Sequence, residues 1–262
     1  MRNKFLREVA AAGLPEGPGS DAVVTAADIE PLPEPARRYL RFMGVVGRPR
    51  DWSLRLSFVG RFRTKLDGPW GACRTWQYNT RLDLARIFHI RIRLGGIVPV
   101  LARDTYLHGR GRMLVKVLDL LPVADASGLE FDIGELVTYF NDAVFWAPSM
   151  ILGPETTWAP VAPDSFDVTL ADGGRAVTAR VFVDERGAPT DFSTTDRFCY
   201  DADDPKRLAR ARWTTPIMLE VANGRPVGAR GQAMWHLPAG PKPYADFTLV
   251  PGTLAYNVAP GQ

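Results

Sequence analysis

Glu135 and Asp142 stand seven positions apart in a stretch whose apolar residues, Leu136, Val137, Phe140, Val144 and Phe145, recur at helical spacing. Seven residues make nearly two helical turns, so the two carboxylates share one face. Tyr139 lies one turn from each, and Asp132 falls at the expected N-cap, where a carboxylate accepts backbone N–H groups. Two carboxylates and a phenol in an apolar hollow would suit general acid/base chemistry. Desolvation and mutual repulsion would raise one carboxyl pKa toward neutrality. The same spacing also fits a solvated face opposite an inward-packing Leu136/Phe140 stripe.

Arg103-Asp104-Thr105-Tyr106 reads as a strand segment followed by a turn at His108-Gly109-Arg110-Gly111. Asp104 and Tyr106 project to one side of such a strand. They could line a pocket with Arg103 nearby, or form a surface Arg–Asp pair beside a hairpin turn. His236, after Trp235, could serve as a general base or be a partly buried structural residue. Trp146 and the other tryptophans supply large rigid apolar area, either as core or as the wall of a ligand cavity. The candidates are therefore Glu135, Asp142 and His236 for catalysis, and Tyr139, Trp146, Arg103, Asp104 and Tyr106 for ligand contact.

Several motifs are missing. The chain has no GxGxxG after a strand, no GxxxxGK[ST], no HExxH and no GxSxG. His89, His108 and His236 are isolated, without a second ligand at metal spacing. Asp201-Ala202-Asp203-Asp204-Pro205 resembles a calcium loop but lacks the central Gly and distal Glu. No cofactor and no metal are expected.

These residues must be positioned by a scaffold that is legible in part. Residues 3–12 read as a short helix ended by Gly13 and Pro15. A second helical piece follows Thr25, and a third covers 35–43, stopped by Gly44 and Gly47. After Asp51 the period changes to two. Trp52, Leu54, Leu56 and Phe58 alternate with Ser53, Arg55 and Ser57, and Phe88, Ile90, Ile92 and Leu94 alternate with His89, Arg91 and Arg93. Similar runs occur at 113–118 and 177–183. Turn chemistry separates them at Asp172-Gly173-Gly174, at 184–187 and at 223–226. The pattern predicts a mainly β, α+β chain of about ten to twelve antiparallel strands, curled because twist accumulates. The helix over 132–152 is inserted near the middle as a plug for the concave face. We divide the chain into an N-terminal helical arm, 1–50, packed on an antiparallel β unit, 51–262, within one structural domain.

The 262 residues carry 32 Lys plus Arg and 29 Asp plus Glu, a formal net charge of +3. The charge is unevenly spread: 20 basic against 10 acidic over residues 1–112, then 12 against 19 over 113–262. Such a basic half could attract an anionic ligand, nucleic acid or membrane surface, unless the halves interdigitate and neutralise each other. The Arg-bearing strands lack the signatures of nucleic-acid modules, so no nucleic-acid partner is expected. No apolar run reaches the length of a membrane-spanning helix. Arg7 and Glu8 occupy the place of a signal peptide's apolar core, and Cys73 and Cys199 form no CxxC. The expectation is a cytoplasmic protein with free thiols, its oligomeric state open.

The segments LPEPARRYLRFMGVVGRPR (32–50), GELVTYFNDAVFWAPSMIL (134–152), TTWAPV (156–161), ARVFVDERGAPTDFSTTDRF (179–198) and AMWHLPAGPKPYADFTLVPGTLAYNV (233–258) carry a resemblance. Together they resemble an uncharacterised bacterial family with a domain-of-unknown-function label. Glu135 stands where that family's GEL pattern has its Glu, and Asp142 at an acidic site. The resemblance implies no activity and supplies no catalytic residue. The architecture is also similar to half-barrel carriers of lipids and lipoproteins, a likeness of fold alone. Two functions remain in view. One is binding of a hydrophobic or amphipathic small molecule in the hollow of the sheet. The other is a cofactor-independent isomerase, cyclase or hydrolase using Glu135 and Asp142.

Overall fold

A computed structural model describes residues 1–18, 22–118, 120–200 and 207–262. The calcium-like stretch at 201–205 lies outside the described residues. Three short helices come first. α1 (Arg2–Ala11) buries Phe5 and Val9. α2 (Ala26–Ile29) starts from a capping box in which the Thr25 and Asp28 side chains each accept the other's backbone N–H. α3 (Glu34–Phe42) turns Ala36, Tyr39 and Leu40 inward.

The period-two region then forms β1 (Ser53–Leu56), β2 (Phe58–Phe62), β3 (Gly71–Thr80), β4 (Ala85–Leu94), β5 (Val98–Leu107), β6 (Arg110–Val117) and β7 (Leu121–Ser127). The long helix α4 (Leu129–Trp146) follows, ending in a 3-10 turn over Pro148–Ile151. The rest is strand: β8 (Thr156–Ala162), β9 (Ser165–Asp172), β10 (Arg175–Val183), β11 (Pro189–Tyr200), β12 (Leu208–Thr214), β13 (Ile217–Ala222), β14 (Arg225–Leu237), β15 (Gly240–Leu249) and β16 (Ala255–Tyr256).

The strands form one antiparallel sheet in the order β7-β6-β5-β4-β3-β2-β15-β14-β12-β11-β10-β9-β8, with β1, β13 and β16 pairing alongside. This is the expected fold class, with more strands than the alternation alone marks. One expected strand breaks at Ser57 into β1 and β2, and β7 (LPVADAS) has no alternation to read. Among the described residues the ladder does not close; β7 and β8 stand at its two ends, and β13 and β16 are each paired on one side only. Each end strand holds a proline, Pro122 or Pro160, and each end pairing has a register shift near it.

The sheet bends until its two wings meet. Gly109, in the β5–β6 turn, lies against Gly173, in the β9–β10 turn, so closely that a Cβ on Gly109 would sit 3.1 Å from the Gly173 Cα. Tyr106 Oη donates to Asp172 Oδ2 at 2.6 Å, and Arg175 Nη1 donates to the Gly109 carbonyl at 2.9 Å. Side chains and turns make this meeting, with no β ladder between the wings among the described residues.

α4 lies in the resulting trough and touches strands of both wings, among them β6 and β11. Burial surrounds it, so its polar residues are enclosed as well as its apolar ones. Glu135 is 7% exposed and Asp142 5%, which rules out the solvated-face reading. The helix begins at Leu129, three residues before the expected start, with Gly128 as its N-cap, so Asp132 is not an N-cap. Its carboxylate instead accepts from Gly111 N at 2.7 Å, Arg175 Nη2 at 2.6 Å and Arg110 Nη1 at 3.2 Å, pinning the first turn of α4 to the meeting point of the wings.

The main core joins Leu136, Phe140 and Val144 of α4 to Tyr39, Phe166, Val181 and Phe192. A separate apolar cluster, Cys73, Phe88, Ile90, Ile92 and Val100, lies further along the concave face with half-buried Phe62, Val115 and Phe247 against it. α1 covers the opposite face, packing Phe5 and Val9 on Tyr78 and Ile87. Both cysteines are free and buried. Among the described residues no helix is long and apolar enough to cross a membrane.

Candidate functional site

Strand parity assembles the site. On β4, Arg86, Phe88, Ile90 and Ile92 share one face, and His89, Arg91 and Arg93 take the other. The register sets Asn79 and Gln77 of β3 opposite Arg86 and Phe88, and sets Tyr106 and Asp104 of β5 opposite the same two residues. Directly opposed residues share a face, so five polar residues and Phe88 form a continuous patch across three strands. α4 lies over it.

Arg86 is the centre. Its Nη1 donates to Glu135 Oε2 at 2.9 Å and its Nε to Asp142 Oδ2 at 2.7 Å, with the guanidinium 4.6 Å from the Phe88 ring centroid. Asp142 Oδ2 also accepts from Gln77 Nε2 at 2.6 Å and Asn79 Nδ2 at 3.1 Å. Asp104 Oδ1 is buried and accepts nothing among the described residues. The facing wing contributes Arg197 on β11. It lies over Trp213 and Trp235, 4.4 and 5.5 Å from their centroids, and its Nε has no acceptor among the described residues. Its charge acts on both Asp104 and Glu135.

Electrostatics follow from crowding three carboxylates into this enclosure. Burial pushes Glu135 from 4.5 up to about 7. The Asp104 charge adds to the rise, and Arg86 and Arg197 oppose it. Burial also raises Asp104 against the pull of Arg86 and Arg197, and raises Asp142 against Arg86 and its amide donors. Burial disfavours the Arg86 charge, but the three carboxylates outweigh it and its pKa rises. Arg86 therefore stays charged. Asp142, with three donors, is the carboxylate best able to remain ionised, so the excess proton belongs to the Glu135/Asp104 pair.

Of the residues marked in the sequence, the fold brings Glu135, Asp142 and Asp104 together. Tyr106 lies beside them, opposite Arg86, but its hydroxyl is engaged away from the carboxylates, and the remaining candidates lie elsewhere. Tyr139 points into the main core, where burial raises its pKa and its Oη finds no partner among the described residues. Tyr106 is committed to Asp172. Trp146 Nε1 donates to the Gly228 carbonyl at 2.8 Å, with its ring edge-on to Phe58. Arg103 lies on the opposite face of the sheet, 3.1 Å from Glu8, which also bonds His89 at 2.9 Å. His236 bonds Thr214 Oγ1 at 2.9 Å, and burial with nearby Arg212 lowers its pKa. Sequence reasoning passed over Arg86, Gln77, Asn79 and Arg197. The signal for Arg86 was present: its parity is that of Phe88, Ile90 and Ile92, and an arginine on an apolar face needs a buried carboxylate. Among the described residues, no group of three or more His, Cys, Asp or Glu could hold a metal ion.

Among solved structures, the chain is similar to a domain from Vibrio parahaemolyticus assigned to outer-membrane lipoprotein sorting. The alignment covers 78% of this chain and 85% of that one, at 9% identity and a TM-score of 0.41. At that distance the likeness carries no argument about this molecule. No curated protein matches the chain. A family model matches residues 22–247, most of the trough and everything that lines the site, and by that match the chain belongs to a family of unknown function, DUF6544.

Proposed function

We propose that the chain binds an amphipathic small molecule in the hollow of its curved sheet. The apolar part lies along Phe62, Ile90, Val115 and Phe247, and the polar head reaches Asp104 and Glu135. The observation that carries this reading is the buried, unpartnered Asp104 Oδ1 at the polar end of a concave apolar cluster. An unmet buried acceptor costs about 1–3 kcal/mol, which a ligand O–H or N–H would recover. The chemistry of the head follows from the charges. Asp104, Glu135 and Asp142 outnumber Arg86 and Arg197, so a neutral hydroxyl or amide fits better than a carboxylate.

A second reading, acid/base catalysis by Glu135, is favoured by its pKa of about 7, close to the value a proton-transfer group needs at neutral pH. One experiment addresses both. The chain is melted, and examined by native mass spectrometry, with a long-chain monoacylglycerol and with palmitate. The monoacylglycerol should raise Tm by several degrees, as saturating binding would. Palmitate should do less, and Asp104→Leu should abolish the gain. A change in mass of the bound compound that Glu135→Gln removes would decide for the enzyme. No stabilisation by either compound would count against binding.

A further inference from the structure

Two turns at one end of the β4–β7 wing expose an aliphatic prow. Ile97 and Val98 stand 86% and 42% exposed. Leu118, Leu120, Leu121 and Val123 stand 53%, 76%, 63% and 60% exposed. Leu118 N donates to the Pro99 carbonyl at 3.0 Å, which ties the second turn to the base of the first and brings the two exposed aliphatic turns side by side. Soluble monomers rarely leave contiguous aliphatic area of this kind in water, and where they do it marks a contact surface.

Behind the prow, on the convex face, runs a basic row. The register aligns Arg74, Arg91, Leu101 and Lys116 across four adjacent strands, and Arg93 follows two residues after Arg91. Arg74, Arg91 and Arg93 are exposed. Among the described residues no carboxylate pairs with Arg74, Arg91, Arg93 or Lys116, although most other arginines of the sheet have such partners. The sequence of the second turn also contains Asp119, which lies outside the described residues. The basic excess of residues 1–112 is therefore not wholly neutralised by the acidic half; part of it remains unpaired beside the apolar turns.

We propose that this end of the molecule docks on an anionic lipid surface, the aliphatic turns entering the headgroup boundary and the Arg74/Arg91/Arg93/Lys116 row lying against the lipid phosphates. Aliphatic insertion combined with basic flanks is the chemistry that such a surface selects. A second copy of the chain fits less well, because a two-fold contact would set one basic row against the other. Nucleic acid fits less well because none of the six prow side chains is aromatic and able to stack on a base. The proposal is independent of what occupies the hollow.

The test is co-sedimentation of the full chain with phosphatidylcholine vesicles, with and without phosphatidylglycerol, alongside light scattering for oligomeric state. The chain should pellet with the phosphatidylglycerol vesicles and be released by raised salt. Ile97→Asp with Leu120→Asp should weaken binding by about tenfold or more, and Arg91→Glu with Arg93→Glu should do the same on anionic vesicles. These side chains are exposed, and an unchanged Tm for both variants confirms an intact fold. Failure of the wild-type chain to pellet overturns the proposal. So does binding that survives both variants, and so does a dimer that Ile97→Asp converts to monomer.

Discussion

Glu135 accepts one hydrogen bond from Arg86, and Asp142 accepts three donors on a single oxygen. That difference divides their roles. Asp142 is the fixed counter-ion of Arg86, and the excess proton is left to Glu135 and Asp104 together. An acid whose folded pKa is raised keeps its proton where the unfolded chain has released it. Stability therefore falls as pH climbs from 4.5 to about 7, by up to about 3 kcal/mol for Glu135. Glu135→Gln should flatten this slope, read by urea unfolding at pH 5 and pH 7; a variant as pH-sensitive as the wild type would show that the proton resides elsewhere. At this scale the sequence was half legible. The seven-residue spacing identified Glu135 and Asp142, because helical periodicity is local. Arg197 and the Gln77/Asn79 pair were invisible, because their partners lie on other strands or on α4, and no spacing in the sequence reports such a juxtaposition.

Helix α4 and the β5–β6 hairpin fit together at Gly111. A Cβ there would lie 2.1 Å from the Phe131 carbonyl oxygen and 2.7 Å from Asp132 N, and Gly111 N itself donates to the Asp132 carboxylate. Gly111→Ala must push the hairpin off the first turn of α4 and should destabilise by about 1–3 kcal/mol or more. Gly134, inside α4, offers the contrast. A Cβ there meets nothing within 4 Å, so Gly134→Ala should stabilise by about 0.5–1 kcal/mol through helix propensity. Chemical denaturation of the two variants should give opposite signs; a shared sign would mean that the close approach at Gly111 does not set the packing of α4. Most elements were readable because their side chains report one outer and one core face, as along β10, whereas β4 alternates in exposure only at its far end because α1 covers the rest of its outer face. The start of α4 was not. Asp132 looks like a cap in sequence, but its carboxylate is drawn to Arg110, Arg175 and Gly111 from strands that sequence distance hides.

The whole molecule is a trough whose wings are joined at one end by Tyr106–Asp172 and Arg175–Gly109 instead of a ladder. Such a clasp can open without unpairing any strand. Tyr106→Phe leaves Asp172 Oδ2 without its phenol donor and should cost about 1.5–3 kcal/mol locally. Amide exchange should quicken at the two turns, 107–111 and 172–175, and stay slow in the core around Phe140 and Phe192. Uniformly faster exchange would mean that the wings and the core open as one unit. The open ladder has a second consequence, at its outer edges. A foreign strand approaching β7 or β8 would meet a proline that offers no N–H, Pro122 or Pro160, close to a register shift. Both ends of the ladder are thereby poor templates for extension, so the sheet can stay unsealed there without polymerising end to end.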